Sequence, residues 1–204
     1  MTLDLFDNQS NEPQHISLPG ADLVFWPQFY SLDEAELLYE SLLEKTQWQE
    51  KVIRMYGRNV LVPRLSSWYA DKRKDYTYSG ALHNPLPWTS ELLALKRAIE
   101  SRTGAQFNSV LCNLYRNEKD SVSWHSDDEP ELGLKPVIAS LSFGETRTFQ
   151  LRRKDDHKQK FAIELSSGSC LLMAGSTQQM WQHQIAKTSK TLKPRINLTF
   201  RLIS

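Results

Sequence analysis

From Phe107 to the C-terminus the chain breaks into short runs rich in β-branched and aromatic residues: FNSVLCNLY, VIASLSF, RTFQLRR, KFAIELS, SCLLMA, QQMWQHQI and RINLTFRLI. Turn-forming or charged residues bound each run, and the spacing predicts a strand for each, hence a sandwich or barrel. The last run constrains the fold most. Its period of two puts Arg195, Asn197, Thr199 and Arg201 on one face and Ile196, Leu198, Phe200 and Leu202 on the other, so the second face must enter a core.

The N-terminal half reads differently. Ser31 followed by Glu34, with Ala35, Leu38 and Leu42 at spacings of three and four, predicts a capped helix. A second helix is expected from Thr89 to Arg102, with Leu92, Leu95 and Ile99 as its apolar stripe and Gly104 as its stop. The stretch between them is expected to be loop-rich, and it carries Lys51, Arg54, Arg58, Arg64, Lys72, Arg73 and Lys74 among several aromatic residues. Residues 1–20 are mostly polar and predict a flexible tail ahead of a single domain at 21–204. The charged segment at 152–160 predicts a solvated hairpin.

Composition excludes several classes. Lys and Arg total 25 against 24 Asp and Glu, so any nucleic-acid footprint must be local. No apolar run reaches the ~20 residues that span a bilayer, and the N-terminus lacks a basic region followed by an apolar one. A soluble protein with no membrane partner is expected, cytoplasmic, or nuclear in a eukaryotic cell. Cys112 and Cys170 lie within apolar runs and predict buried free thiols. No glycine-rich dinucleotide or phosphate loop is present.

His125 and Asp127 follow a strand-like run two residues apart, a spacing that sends both side chains to one side of an extended chain. An imidazole and a carboxylate are two thirds of the 2-His-1-carboxylate set that holds Fe(II) with positions left open. Of the remaining histidines, His15, His83, His157 and His183, only His183 falls in the β-rich half with a defined facing. Arg195 and Arg201 lie about 20 Å apart along their strand at ~3.3 Å per residue, and guanidinium groups suit bidentate capture of a dicarboxylate. Asn113 and Tyr115 alternate on the strand before the metal candidates. The competing reading is an edge strand whose polar face meets water.

Taken in order, Asn113-Leu-Tyr115, His125-Ser-Asp127, His183 and Arg195-x5-Arg201 resemble the AlkB family of Fe(II)/2-oxoglutarate dioxygenases, which demethylate nucleic-acid bases. PRLSSWY, DYTYSG, IASLSFG and NLTFR also look like family segments, so the resemblance runs from about residue 60 to the C-terminus. NLYRNEKDSVSWHSDDE is most similar to the animal member that favours single-stranded DNA and RNA. The resemblance implies a mostly β fold with flanking helices (α+β), a double-stranded β-helix or jelly roll at about 105–204 with a nucleotide-recognition lid at about 50–80. It implies iron on His125, Asp127 and His183, and 2-oxoglutarate on Asn113, Tyr115, Arg195 and Arg201 with Asn197 in support. The implied reaction is oxidative demethylation of 1-methyladenine and 3-methylcytosine in DNA, with RNA as a further substrate, releasing succinate, CO2 and formaldehyde. Base and lid contacts would fall to Arg64, Trp68, Tyr76, Tyr78, Asp128, Glu129 and Tyr56.

Two departures stand out. Glu118 occupies a position where many members have Gly, and Thr188-Ser189-Lys190 replaces a basic triplet of the duplex-repairing relative. Leu3, Asp4, Leu5 and Phe6 resemble a bacterial sliding-clamp-binding peptide, with Thr2 in place of its leading Gln. Two other classes stay open: a 2-oxoglutarate oxygenase acting on protein or lipid, and a non-catalytic nucleic-acid or clamp-binding jelly roll.

Overall fold

The computed structural model describes residues 12–55, 57–71, 76–78, 81–83 and 85–204, with backbone alone at 53–55, 76–78 and 81–83. In chain order the strands are β1 (Gln14–Leu18), β2 (Ala21–Trp26), β3 (Gln49–Met55), β4 (Arg58–Ala70), β5 (Tyr76–Tyr78), β6 (Ala81–His83), β7 (Ser109–Tyr115), β8 (Val122–His125), β9 (Ile138–Gly144), β10 (Arg147–Arg153), β11 (Lys160–Leu165), β12 (Cys170–Ala174), β13 (Trp181–Ile185) and β14 (Arg195–Arg201). The helices are α1 (Leu32–Lys45), α2 (Ser90–Thr103) and the single turn α3 (Thr177–Met180).

Both long helices start where the sequence places a cap. Ser31 Oγ accepts from Glu34 N at 3.3 Å while Glu34 Oε2 accepts from Ser31 N at 2.9 Å, a reciprocal box that satisfies two otherwise orphaned donors. Thr89 Oγ1 caps α2, and Gly104, at φ +70°, closes it in the left-handed conformation.

The strands form an eight-stranded sheet ordered β1-β2-β12-β9-β14-β7-β4-β3, facing a four-stranded sheet ordered β11-β10-β13-β8. All their pairings are antiparallel. This is the double-stranded β-helix, with α1 and α2 on the outer face of the large sheet. One core joins α1 and α2 to the large sheet through Leu42, Leu92, Ile99, Leu141, Ile196, Leu198 and Phe200. The other fills the space between the sheets with Phe25, Leu171 and Met173 against Phe149, Leu151 and Trp181. The two cores explain the run at the C-terminus: β14 lies between β9 and β7 with all seven residues buried, whereas Leu202, expected on its core face, falls past the end of the strand and is exposed. β14 is not an edge strand, and its polar face looks into the space between the sheets. Cys112 and Cys170 are buried free thiols, and burial pushes both thiol pKa values up.

Three expectations are corrected. Gln14–Leu18, expected within the tail, pairs along β2 as an edge strand; its single partner leaves only Ile16 and Leu18 half-buried, too weak a pattern to read from sequence. The stretch expected to be loop-rich is mostly strand, β3 and β4. The first half of β4 is exposed on both faces and so carries no burial periodicity, whereas Leu65–Ala70 pairs along β7 inside the large sheet. Among the described residues, only the outer part of the β3–β4 hairpin is exposed on both faces. Finally, the run QQMWQHQI starts as α3, because Thr177 Oγ1 donates to Ala174 O at 2.6 Å and accepts from Asp22 N at 2.9 Å, folding the chain into a turn before β13.

Candidate active site

Cross-strand pairing builds the site. His183 on β13 is the direct partner of His125 on β8, so two imidazoles 58 positions apart in sequence are brought side by side, with ring centroids 4.2 Å apart. Asp127 follows β8 closely enough for its Oδ1 to lie 4.0 Å from His125 Nε2. One ligand-type atom from each of His125, Asp127 and His183 lies within 4.8 Å of the other two.

The surroundings of the three side chains suit a cation. His125 Nδ1–H donates to Ser123 O at 2.8 Å, and its Nε2 lies 4.0 Å from Asp127 Oδ1. Burial, followed by the neighbouring His125, lowers the His183 pKa to about 3, and its ring is neutral. Burial alone would raise the Asp127 carboxyl, but Arg201 and the two histidines outweigh it and hold the pKa down to about 2. Two imidazoles and one carboxylate are the donor set of a non-haem Fe(II) site.

The floor of the same cavity is the polar face of the three central strands. Arg195 pairs with Tyr115, Asn197 with Asn113, and Arg201 with Ser109 along β14 and β7. Arg195 is 2% exposed, and its Nη2 donates to Ser142 Oγ at 2.9 Å, while Nε and Nη1 have no hydrogen-bond partner among the described residues. Burial lowers its pKa to about 10, opposed by Tyr115, whose ring lies 5.2 Å from the guanidinium carbon. A buried cation with two idle donors is costly unless an anion completes it. A carboxylate fits that requirement.

Asn197 and Arg201 line the same cavity. Arg201 donates to Asp127 Oδ1 at 2.8 Å, so it holds the carboxylate of the candidate ligand. Asn197 is engaged by Ser140 Oγ, Leu141 O and Thr199 Oγ1. Arg64 lines the cavity but is no part of a basic surface: it is buried and donates to Asn113 Oδ1 at 2.8 Å and Ser121 O at 3.2 Å, because it sits where the hairpin joins the large sheet. Trp68 packs with Leu111, Leu132 and Ile203 in a small core. Asp128 is exposed and paired with Lys154 Nζ at 2.8 Å, and Glu129 leads into a single helical turn at Pro130–Leu132; neither lines the cavity. The side chains of Tyr76 and Tyr78, and all of Tyr56, Leu3, Asp4, Leu5 and Phe6, lie outside the described residues.

Sequence reading missed Ser140, Phe149 and Met173, which also line the cavity, and gave Thr199 a facing but no role. The alternation IASLSF did carry a signal for Ser140 and Ser142, since apolar partners flank each serine. Phe149 stacks on His183 with centroids 5.1 Å apart, a contact between neighbouring strands that no local pattern announces.

Comparison with known proteins follows the same lines. The model of the 2OG-Fe(II) oxygenase superfamily matches residues 22–201. "Alpha-ketoglutarate-dependent dioxygenase alkB homolog 3" of Bos taurus is 46% identical over 186 residues, covering 87% of this chain and 64% of that protein. Its Homo sapiens counterpart is 44% identical over 190 residues, 89% of this chain and 66% of that protein. The chain thus spans slightly less than two thirds of the length of either. "DNA oxidative demethylase ALKBH2" of Homo sapiens is 33% identical over 200 residues, 93% of this chain and 76% of that protein. The solved structure of OsALKBH1 shares the fold, with a TM-score of 0.62 over 94% of this chain and 100% of that one, at 14% identity. With its family model matched from residue 22 to residue 201 and relatives above 30% identity along most of its length, the chain belongs to the 2OG-Fe(II) oxygenase superfamily.

Proposed function

We propose that this chain is an oxidative demethylase of N-alkylated nucleic-acid bases, with 1-methyladenine and 3-methylcytosine in DNA and RNA as substrates. One observation carries the oxygenase half of the reading: the buried, half-satisfied guanidinium of Arg195 shares a cavity with His125, Asp127 and His183. The nucleic-acid half is supported by relatives whose names include a DNA oxidative demethylase. Arg195 takes the remote carboxylate of 2-oxoglutarate, and Tyr115 and Asn113 border the same molecule. His125, Asp127 and His183 hold Fe(II), which when bound supplies the activation of O2 toward the N-methyl carbon. Phe149, Met173 and Ile185 keep that space apolar around the histidines and exclude bulk water. Each turnover converts 2-oxoglutarate, O2 and the N-methyl base to succinate, CO2, formaldehyde and the demethylated base, still attached to its sugar.

Tyr76 and Tyr78 are proposed to stack on the cationic flipped base, on sequence grounds alone. The same standing holds for clamp binding by Leu3, Asp4, Leu5 and Phe6, which loss of clamp co-purification on changing Leu5 and Phe6 to Ala tests. The reading places the enzyme with its substrate, in the cytoplasm or a eukaryotic nucleus; among the described residues no helix is long and apolar enough to cross a membrane.

The experiment is a coupled assay on matched single-stranded, double-stranded and RNA oligonucleotides bearing one 1-methyladenine. Succinate and formaldehyde are expected in equal amounts with the repaired base. Succinate without repair in all three would remove the nucleic-acid substrate and leave the oxygenase centre standing.

A further inference from the structure

The loop that carries Asp127 is held by a buried side chain of the helical turn that precedes β13. Gln178, on α3, is 1% exposed, and its Oε1 accepts from Asp127 N at 3.0 Å. Its Nε2 makes only a weak contact, donating to Met173 Sδ at 3.5 Å. A second bond reaches across in the same place: Ser126 Oγ donates to Trp181 O at 3.0 Å. The segment that makes these bonds leads within five residues to His183. It is itself anchored to the N-terminal hairpin, where Thr177 Oγ1 accepts from Asp22 N at 2.9 Å and Trp181 Nε1 donates to Pro19 O at 3.1 Å.

We infer that Gln178 is a positioning residue for the metal centre, setting the affinity for the cation by fixing where the Asp127 carboxylate stands relative to His183. The inference rests on the metal-centre reading above. Asp127 lies just past the end of β8, with no ladder partner to fix its backbone, so its N–H would otherwise be a buried donor without an acceptor. The amide of Gln178 supplies that acceptor from the very segment that presents the other buried ligand. The segments that present Asp127 and His183 are thereby tied by this bond together with that of Ser126 to Trp181 O, and supporting groups around a metal site are worth roughly 10–100-fold in metal affinity.

The test uses the full chain and redox-stable Mn(II) as the probe, with binding followed by titration calorimetry or by the free-ion paramagnetic signal. Gln178→Leu keeps the volume and removes the acceptor; Gln178→Glu keeps the acceptor. The expected result is a Mn(II) dissociation constant raised about 10-fold or more by Gln178→Leu. Gln178→Glu is expected to bind as the wild type does or more tightly, with both variants showing the far-UV spectrum of the parent. Equal weakening in the two variants would overturn the inference in favour of simple packing, as would unchanged binding by Gln178→Leu. If Gln178→Leu does not fold, Gln178→Met serves in the same comparison. A wild-type chain that binds no Mn(II) would sink the metal centre and this inference with it, whereas wild-type binding with indifferent variants sinks the role of Gln178 alone.

Discussion

Replacing Arg195 by methionine sets stability against binding at a single residue. The guanidinium is buried, donates one bond to Ser142 Oγ, and has two nitrogens without partners among the described residues. Burial takes its pKa from 12.5 to about 10, and at 1.36 kcal/mol per pH unit that fall corresponds to ~3 kcal/mol against the cation. The folded state binds this proton less tightly than the unfolded chain, so the penalty operates at every pH below about 10. Methionine keeps an apolar stem, removes the charge and forfeits the Ser142 bond, worth ~1 kcal/mol. The ligand-free variant should therefore be more stable by ~1–2 kcal/mol, melting roughly 3–6 °C higher for a chain of this size. Binding moves the other way. At 2-oxoglutarate equal to 100 times its dissociation constant, with Mn(II) present, the wild type gains ~2.7 kcal/mol. Loss of the charge-assisted bonds weakens the complex ~100-fold, which reduces that gain to ~0.4 kcal/mol at the same concentration. Scanning calorimetry with and without 2-oxoglutarate reads both effects. A variant that melts below the wild type without ligand, or that 2-oxoglutarate stabilises as fully as the wild type, refutes the reasoning.

Three further outcomes are expected. Asp127→Ala abolishes Mn(II) binding and also lowers stability by ~3–5 kcal/mol, because Arg201 is left as a buried charge without its carboxylate; the double variant with Arg201→Met should recover stability on urea unfolding but not the metal. Gly144 has φ +84°, and an added Cβ would lie 2.6 Å from Pro194 O and 2.8 Å from the Tyr39 ring, so Gly144→Ala should cost well over the ~1–2 kcal/mol of the left-handed backbone alone, while Gly104→Ala, with open space around it, should cost about that much. Asp120 accepts from the Arg116 backbone and guanidinium at 2.8–3.0 Å, and these bonds outweigh its burial and hold its pKa below the ordinary 3.8. A lowered folded pKa contributes stability above pH 3.8 that is lost as the pH falls through the folded value, so the melting-temperature gap between wild type and Asp120→Asn should be wide at pH 7 and close in strong acid.

Much of the fold could be read locally. The capped helices, the seven C-terminal runs and the alternation of β14 are each set by the next few residues along the chain, and the structure keeps them with small shifts at their ends. The exposed strands of the β3–β4 hairpin and β1 were hidden for the converse reason: partnered on few faces, they have no burial pattern to display. The site divides the same way. His125 and Asp127 are two residues apart and Arg195 and Arg201 lie on one strand, so their facing is a matter of local period.

Partnership is another matter. Which histidine completes the trio depends on the register of β13 against β8, and the task of each arginine depends on what stands opposite: Asp127 for Arg201, Asn113 for Arg64, and two idle donors for Arg195. Gln178 holding Asp127 is likewise invisible along the chain. Local sequence governs backbone period and capping because those forces act within a few residues. The charge state and employment of a buried polar group belong to neighbours tens of residues away, and only the closed pair of sheets brings those neighbours within bonding distance.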